Sequence, residues 1–376
     1  MTVETLLGNT WDHPRGLHPL VATAARYGME HPGVRVQWDA RSLHAFGDQS
    51  LAELAGSYDL LVVDHPHIGQ AAEQGYLLAL DEVLPGPVLE LLRKESVGAS
   101  HDSYWYGGHQ WALAIDAAAQ VSAYRPDRLA APLRKWSDVL ELAATGGVLW
   151  PLKPVDAMCS FLTLIASTTP CPISADQLIE PGVGVRALEL MRSAQQLLPE
   201  RCLQMNPIEV LDELAGSGDA VYSPLLFGYS NFARAGFAPN VLRFTDMPSR
   251  DGDSPQGSIL GGAGIAVSSA SSHPEAAAAH AVWLAGAEVQ TSTYVENGGQ
   301  PGNRLAWQDK QVNGACSNFF ADTWQTLDRA WVRPRYPGFV ALQRDGGDLV
   351  HDFLLNGGSP EGVLDHLNQI YRETQS

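Results

Sequence analysis

Two short turns concentrate the acid–base and hydrogen-bonding groups of this chain: Trp11-Asp-His-Pro-Arg15 and Asp64-His-Pro-His67. A histidine titrates near neutrality, so a carboxylate beside one can move protons. Asp64 with His65 or His13 is therefore the pair to which catalysis would fall if the chain were an enzyme. Arg15 and Arg41 suit a carboxylate or phosphate through paired, charge-assisted bonds. Trp11, Asp12 and Asp64 suit a sugar, whose apolar face stacks on a ring while carboxylate oxygens fix its hydroxyls. His65 and His67 with Asp64 and His13 are also zinc-ligand types. Alternate residues of an extended chain point apart, however, and no H-E-x-x-H pattern is present, so no metal is expected. A purely structural alternative stands beside all of these: Pro-rich turns use Asp and His to cap backbone N–H groups.

These turns need elements to hold them. Thr5 to Asn9 has strand character, Leu17 to Glu30 helical spacing, and Val34 to Trp38 strict alternation. Arg41 to Asp48 follows as a polar, aromatic loop, and Leu51 to Ala55 as a helix. Tyr58-Asp-Leu-Leu-Val-Val-Asp64 is an apolar run with a polar end, as expected of a strand covered on both faces. A helix over Gly69 to Gln74 completes a β-α-β-α-β-α order, which predicts a parallel sheet with right-handed crossovers. Both polar turns would then open on one edge of that sheet, beyond the carboxyl ends of its strands. Tyr104 to Trp111 predicts a hairpin, and Trp111 to Tyr124 a long extended segment in which Asp116 is the only charge. Short strands are expected at Val148–Trp150, Ala220–Tyr222 and Leu242–Phe244, and a helix over Val289 to Glu296.

Length and composition set the outer limits. A chain of 376 residues exceeds what one core usually serves, so two lobes are expected. The net charge of −18, without any Lys/Arg-rich run, speaks against nucleic acid as a partner. No apolar run is long enough to span a membrane, so no membrane insertion is expected. The first residues carry no basic region, apolar core or cleavage site. The location is therefore cytoplasmic as written, or periplasmic if a leader has been removed. The 4 cysteines show no C-x-x-C spacing, and a Cys159–Cys171 bridge would require an oxidising compartment. Gly261-Gly-Ala-Gly264 lacks both the lysine of a phosphate loop and the dinucleotide spacing. No cofactor is expected, and close backbone approach explains these glycines better.

Several segments taken in order resemble the solute-binding proteins that serve ABC importers, particularly the carbohydrate-type group. They are Tyr58 to Asp64, Trp111 to Asp127, Gly216-Ser-Gly-Asp-Ala-Val-Tyr222, Gly261 to Val267, His273 to Gln290 and Gln300-Pro-Gly-Asn-Arg304. The resemblance implies an α/β, two-lobed, periplasmic-binding-protein-like fold of type II, with a ligand cleft between lobes that closes by a hinge. It divides the chain into lobe one, residues 1–112 plus 265–315, and lobe two, residues 113–264 plus 316–376. It also implies ligand contacts from Tyr222, Tyr229 and Asn231 in lobe two, where aromatics of such proteins stack on ligand. Ligand contacts in all are expected from Trp11, Asp12, His13, Arg15, Arg41, Asp64, His65, His67, Asp116, Tyr222, Tyr229, Asn231, Gly261, Gly262 and Arg304. Trp324 and Arg335 are expected at the rim or surface. The implied function is binding of a small polar ligand, a sugar or a small carboxylate-bearing molecule, with an importer membrane subunit as the further partner. The turns carry more His, Asp and Arg than a plain sugar site needs. A cytoplasmic enzyme or sensor on the same fold, using Asp64, His65 and His13, is the alternative.

Overall fold

In the computed structural model, residues 3–42, 51–168, 178–250, 252 and 257–375 are described. The outer part of the Arg41–Asp48 loop and Cys171 lie outside these residues. The chain forms two compact units. Unit 1 comprises Met1–Ala117, Gly261–Asn313 and Arg333–Pro337; unit 2 comprises Ala118–Leu260, Gly314–Val332 and Gly338–Ser376. The expected limits at 112, 264 and 315 thus fall at 117, 260 and 313, and a short segment, 333–337, returns to unit 1.

Among the described residues the strands are β1 (Glu4–Trp11), β2 (Val34–Arg41), β3 (Leu60–Val63), β4 (Trp105–Tyr106), β5 (His109–Gln110), β6 (Ala112–Tyr124), β7 (Tyr222–Phe227), β8 (Arg243–Thr245) and β9 (Leu260–Val267). In unit 1, β2 and β3 pair in parallel with β1 on either side, as the β-α-β order requires. The all-parallel expectation fails at β9, which runs antiparallel to β3 from Leu60↔Val267 to Val63↔Gly264. The chain returns from unit 2 through β9, so no local crossover dictates its direction. All four residues of β3 are buried. Leu60 and Val62 join one core with Leu6, Leu20 and Tyr27, whereas Leu61 and Val63 join another with Ile68 and Tyr104. That division is the period-2 alternation of a strand covered on both faces.

The first helix starts earlier than its apolar spacing indicates, at Pro14 rather than Leu17. Pro14 presets the backbone at the first helical position, and the His13 ring nitrogen caps Arg15 N–H. Asp64 likewise accepts from His65 N–H, and His65 to His67 form a single 3-10 turn instead of an extended segment. Unit 2 is built on the second half of β6, which pairs antiparallel with β7 and β8. The expected strand at Val148–Trp150 is reduced to one bridge from Val148 to Tyr222, and β7 begins where the Ala220–Tyr222 strand was expected to end. The helix expected through Glu296 breaks at Ser292, whose backbone leaves helical geometry. Helix Pro154–Ala166 packs against Phe339–Asn356, where a Cβ on Gly347 would lie 2.6 Å from Pro154 O.

Segment 333–337 lies directly on the helix Ile68–Glu73. A Cβ on Gly69 would stand 1.6 Å from Arg335 O and 3.2 Å from the Tyr106 ring. Gly69→Ala should therefore push this segment off unit 1 and destabilise the protein by about 1–3 kcal/mol in chemical denaturation. Gly86→Ala, with nothing within 4 Å, should be neutral or stabilising. Equal stability of the two variants would contradict this packing.

Candidate functional site

The carboxyl ends of β1 and β3 in unit 1 carry the two polar turns. Arg15, in the first turn of the helix after β1, donates through Nε to Asp116 Oδ2 at 2.8 Å and through Nη2 to Asp116 Oδ1. Both partners are almost fully buried. Asp116, the lone charge in a run of alanines, is thus paired. Burial pushes its carboxyl up, against the pull of Arg15. Asp64 at the end of β3 makes a second pair, receiving Arg333 Nη2 at 2.8 Å and 3.1 Å on its two oxygens. Burial favours neutral Asp64, but the Arg333 guanidinium and the contacts with His65 and His67 outweigh it. They hold the carboxyl well below the usual carboxylate range.

The remaining cations at this edge are also engaged. Arg41 donates to Asn9 Oδ1 and, at 3.2 Å, to Val62 O; burial lowers its pKa to about 10. Arg335, expected at the rim or surface, is half-buried and donates to Asp102 O at 2.8 Å. His65 is buried, with Nδ1 3.1 Å from Asp64 Oδ1 and its ring edge-on to Tyr104. Burial lowers its pKa to about 4, the nearby Asp64 carboxylate only partly opposing this. His13 is lowered to about 4 by burial and by Arg15 and His18. His67 is buried in the same turn, and Asp12 is exposed.

Other expected contacts are taken up by packing. Trp11 is buried, its ring against the position where Gly16 would carry a Cβ, 2.4 Å away. Gly262 has φ +112°, and a Cβ there would lie 2.4 Å from Asp116 O, so it serves strand-to-strand approach; Gly261 beside it is buried. Arg304 opens a short helix and is half-buried. In unit 2, Tyr222 is fully buried, and its hydroxyl meets Ser122 Oγ at 2.9 Å and donates to Leu133 O at 3.3 Å. Tyr229 and Asn231 are buried at a 3-10 turn, and Trp324 is half-buried on the helix Phe319–Asp328.

Sequence reasoning missed Arg333 and Asn9. Arg333-Pro-Arg335 was legible only as a Pro/Arg-rich connection, although Pro334 between the two arginines and Pro337 after them do signal a fixed extended segment.

The comparisons with known proteins agree with this architecture. The family described as bacterial extracellular solute-binding protein matches residues 22–314. No curated protein sequence matches the chain. The solved structure of maltose-bound MalE3 from T. maritima is similar with a TM-score of 0.85 at 17% identity, covering 99% of this chain and 100% of that one. A solute-binding protein of Agrobacterium radiobacter in complex with ribitol has a TM-score of 0.81 at 17% identity, covering 100% and 98%. The GacH receptor of Streptomyces glaucescens, solved unliganded and with acarbose, has 0.81 at 16%, covering 100% and 99%. These likenesses establish the two-lobed type II solute-binding fold.

Four buried histidines of unit 1 have lowered pKa values: His13, His65 and His101 at about 4, and His280 at about 3, with burial the leading cause in each. Folded-state values below the unfolded value of about 6.5 favour folding above pH 6.5. That stabilisation is lost as pH falls toward about 4, on the order of 2 kcal/mol per ring. In unit 2, Asp156 is raised to about 7 by burial, so its contribution runs the other way and is lost as pH rises. Hydrogen exchange between pH 7.5 and pH 4.5, corrected for intrinsic rates, should show peptides of 3–42 losing protection before peptides of 338–375. Loss from unit 2 first would contradict the assignment.

Proposed function

The chain belongs to the bacterial extracellular solute-binding protein family, and from that membership we propose that it captures a small, neutral, polyhydroxy ligand, a sugar or sugar alcohol. The observation that carries the choice is the charge balance at the strand-end edge of unit 1. Arg15 is matched by Asp116 and Arg333 by Asp64, while Arg41 and Arg335 spend donors on uncharged oxygens. At Arg15 or Arg333 a carboxylate-bearing ligand would have to displace the internal carboxylate from its guanidinium, leaving a buried charge unmatched. A neutral polyol exchanges only hydrogen bonds. Maltose, ribitol and acarbose, named with structures of this fold, are polyhydroxy compounds of this kind.

The polar turns have both structural and binding duties in this account. His13 and Asp64 cap backbone N–H groups, and Asp64 also anchors Arg333, so exposed Asp12 and the outward side of Asp64 are the proposed hydroxyl acceptors. Proton transfer finds little support. Rings lowered to about 4 hold almost no proton at neutral pH, and an Asp held below the carboxylate range donates none. Capture followed by delivery to an ABC importer's membrane subunit, on the extracellular side where the family acts, is the function that fits.

Thermal-shift measurements at pH 7.5 with maltose, ribitol and acarbose provide the test. A ligand at a hundred times its dissociation constant adds about 2.7 kcal/mol, which reads as a clear rise in melting temperature. At least one probe should give that rise and be recovered chemically unchanged by mass spectrometry. A rise confined to carboxylates such as citrate, or any product, would overturn the proposal.

A further inference from the structure

Strand β2 is an edge of its sheet. It pairs with β1 along all 8 of its residues, and among the described residues no strand lies on its other side. Glu4 N–H donates to Gly33 O at 2.9 Å and Asp12 N–H to Arg41 O at 2.7 Å. Alternate residues of a parallel strand serve one neighbour, so the odd-numbered residues of β2 face β1. Val36, Trp38 and Ala40 therefore turn N–H and C=O to the open edge, whereas the Val34 N–H is taken by His31 O. The register runs without a bulge and β2 contains no proline, so neither device closes this edge. Arg35, Gln37 and Asp39 stand exposed on one face. Val36 and Trp38 face the other way, onto the core that includes Leu20 and Tyr27. Beside them runs a groove of about 540 Å³, lined from the helix Pro14–Glu30 by Val21, Ala24, Ala25 and Gly28.

An edge with free backbone groups is a template for another strand. We propose that β2 docks on β2 of a second copy of this chain, antiparallel and centred on Gln37, to form a symmetric dimer through unit 1. Charge complementarity selects this occupant. About a two-fold axis at Gln37, Arg35 stands opposite the partner's Asp39, and Asp39 opposite the partner's Arg35. These are the non-hydrogen-bonded pairs of the ladder, in which opposed side chains come closest. Val36 and the partner's Trp38 exchange their free backbone groups, and their side chains extend the apolar layer over the groove. The two Gln37 amides meet, each offering donors and an acceptor to the other. The ladder can slip only by two residues, because only even-numbered residues present free groups. One such slip sets Arg35 against Arg41, and the other leaves Asp39 opposite Gly33. The net charge of −18 on each copy opposes association until salt screens it. This inference does not depend on the ligand proposed above.

Sedimentation equilibrium of the full chain in about 0.15 M salt, between about 1 and about 200 μM, should show the mass doubling with concentration. Hydrogen exchange of peptides covering 34–41 should slow as the dimer fills. Arg35→Asp and Asp39→Arg each set like charges opposite one another, and each should raise the dimer dissociation constant about tenfold or more. Asp39→Arg also makes the chain less acidic, so general charge repulsion alone predicts the reverse. The double variant Arg35→Asp/Asp39→Arg restores opposite charges at the wild-type net charge, and its constant should return to within about threefold of wild type. Asp39 accepts from Tyr58 OH at 3.1 Å, so the melting curve of each variant is compared with wild type. Ala40→Pro removes an outward N–H without touching the β1 ladder; it should weaken the dimer likewise and serves if the Asp39 variants do not fold. A wild type that stays monomeric throughout, a dimer in which 34–41 exchanges as in the monomer, or folded single variants that dimerise as wild type does would overturn the proposal.

Discussion

Asp116 sits in a run of alanines with 1% of its side chain exposed, where a lone carboxylate could not remain charged at tolerable cost. It remains because Arg15, 101 residues earlier in the chain, meets it with two donors. Asp64 and Arg333, 269 residues apart, repeat the solution. A charge taken out of water must bring its partner with it, and removing either partner alone costs more than the pair contributes. In unit 1 this constraint draws together the turn after β1, the end of β3, the first half of β6 and segment 333–337. It also explains why that segment leaves unit 2, with Trp331 still bonded to Ser258 and Leu260, and rejoins unit 1 two residues later.

The same pairing decides the chemistry available at this edge. Arginines that in isolation would invite an anion are already matched or spent on carbonyl and amide oxygens. Histidines that in isolation would move protons are buried and kept neutral. What is left is chiefly hydrogen-bonding capacity, which suits hydroxyl-rich solutes. The four buried imidazoles with lowered pKa values belong to unit 1, whereas buried acids with raised pKa values occur in both units, Asp116 in the first and Asp156 in the second.

Much of this architecture was legible in the sequence because it rests on local rules. The Leu60–Val63 run announces a doubly covered strand, and Pro14 and Pro66 announce the turns that follow the strands. The order of segments made the family resemblance visible. The pairings were not legible. A lone Asp among alanines shows that a partner is needed without naming it, and nothing local separates Arg15 from Arg41 as that partner. Tyr222 reads equally well as a stacking platform or as core, because an aromatic ring serves either, and Trp11 reads as a stacking ring; both are buried. His65 and His67 were judged on an extended backbone, but Pro66 turned that backbone into a 3-10 turn.

The central claim is that internal carboxylates, carbonyls and an amide oxygen already occupy the guanidinium groups, so the ligand is uncharged. The most direct measurement is calorimetric titration at pH 7.5 and low salt, comparing the tightest-binding neutral sugar or polyol with the aldonate of the same carbon skeleton. The neutral compound should bind at least about tenfold more tightly, the size of one lost hydrogen-bonded contact. Equal or tighter binding of the aldonate would mean that an arginine is available to the ligand, and it would contradict the account.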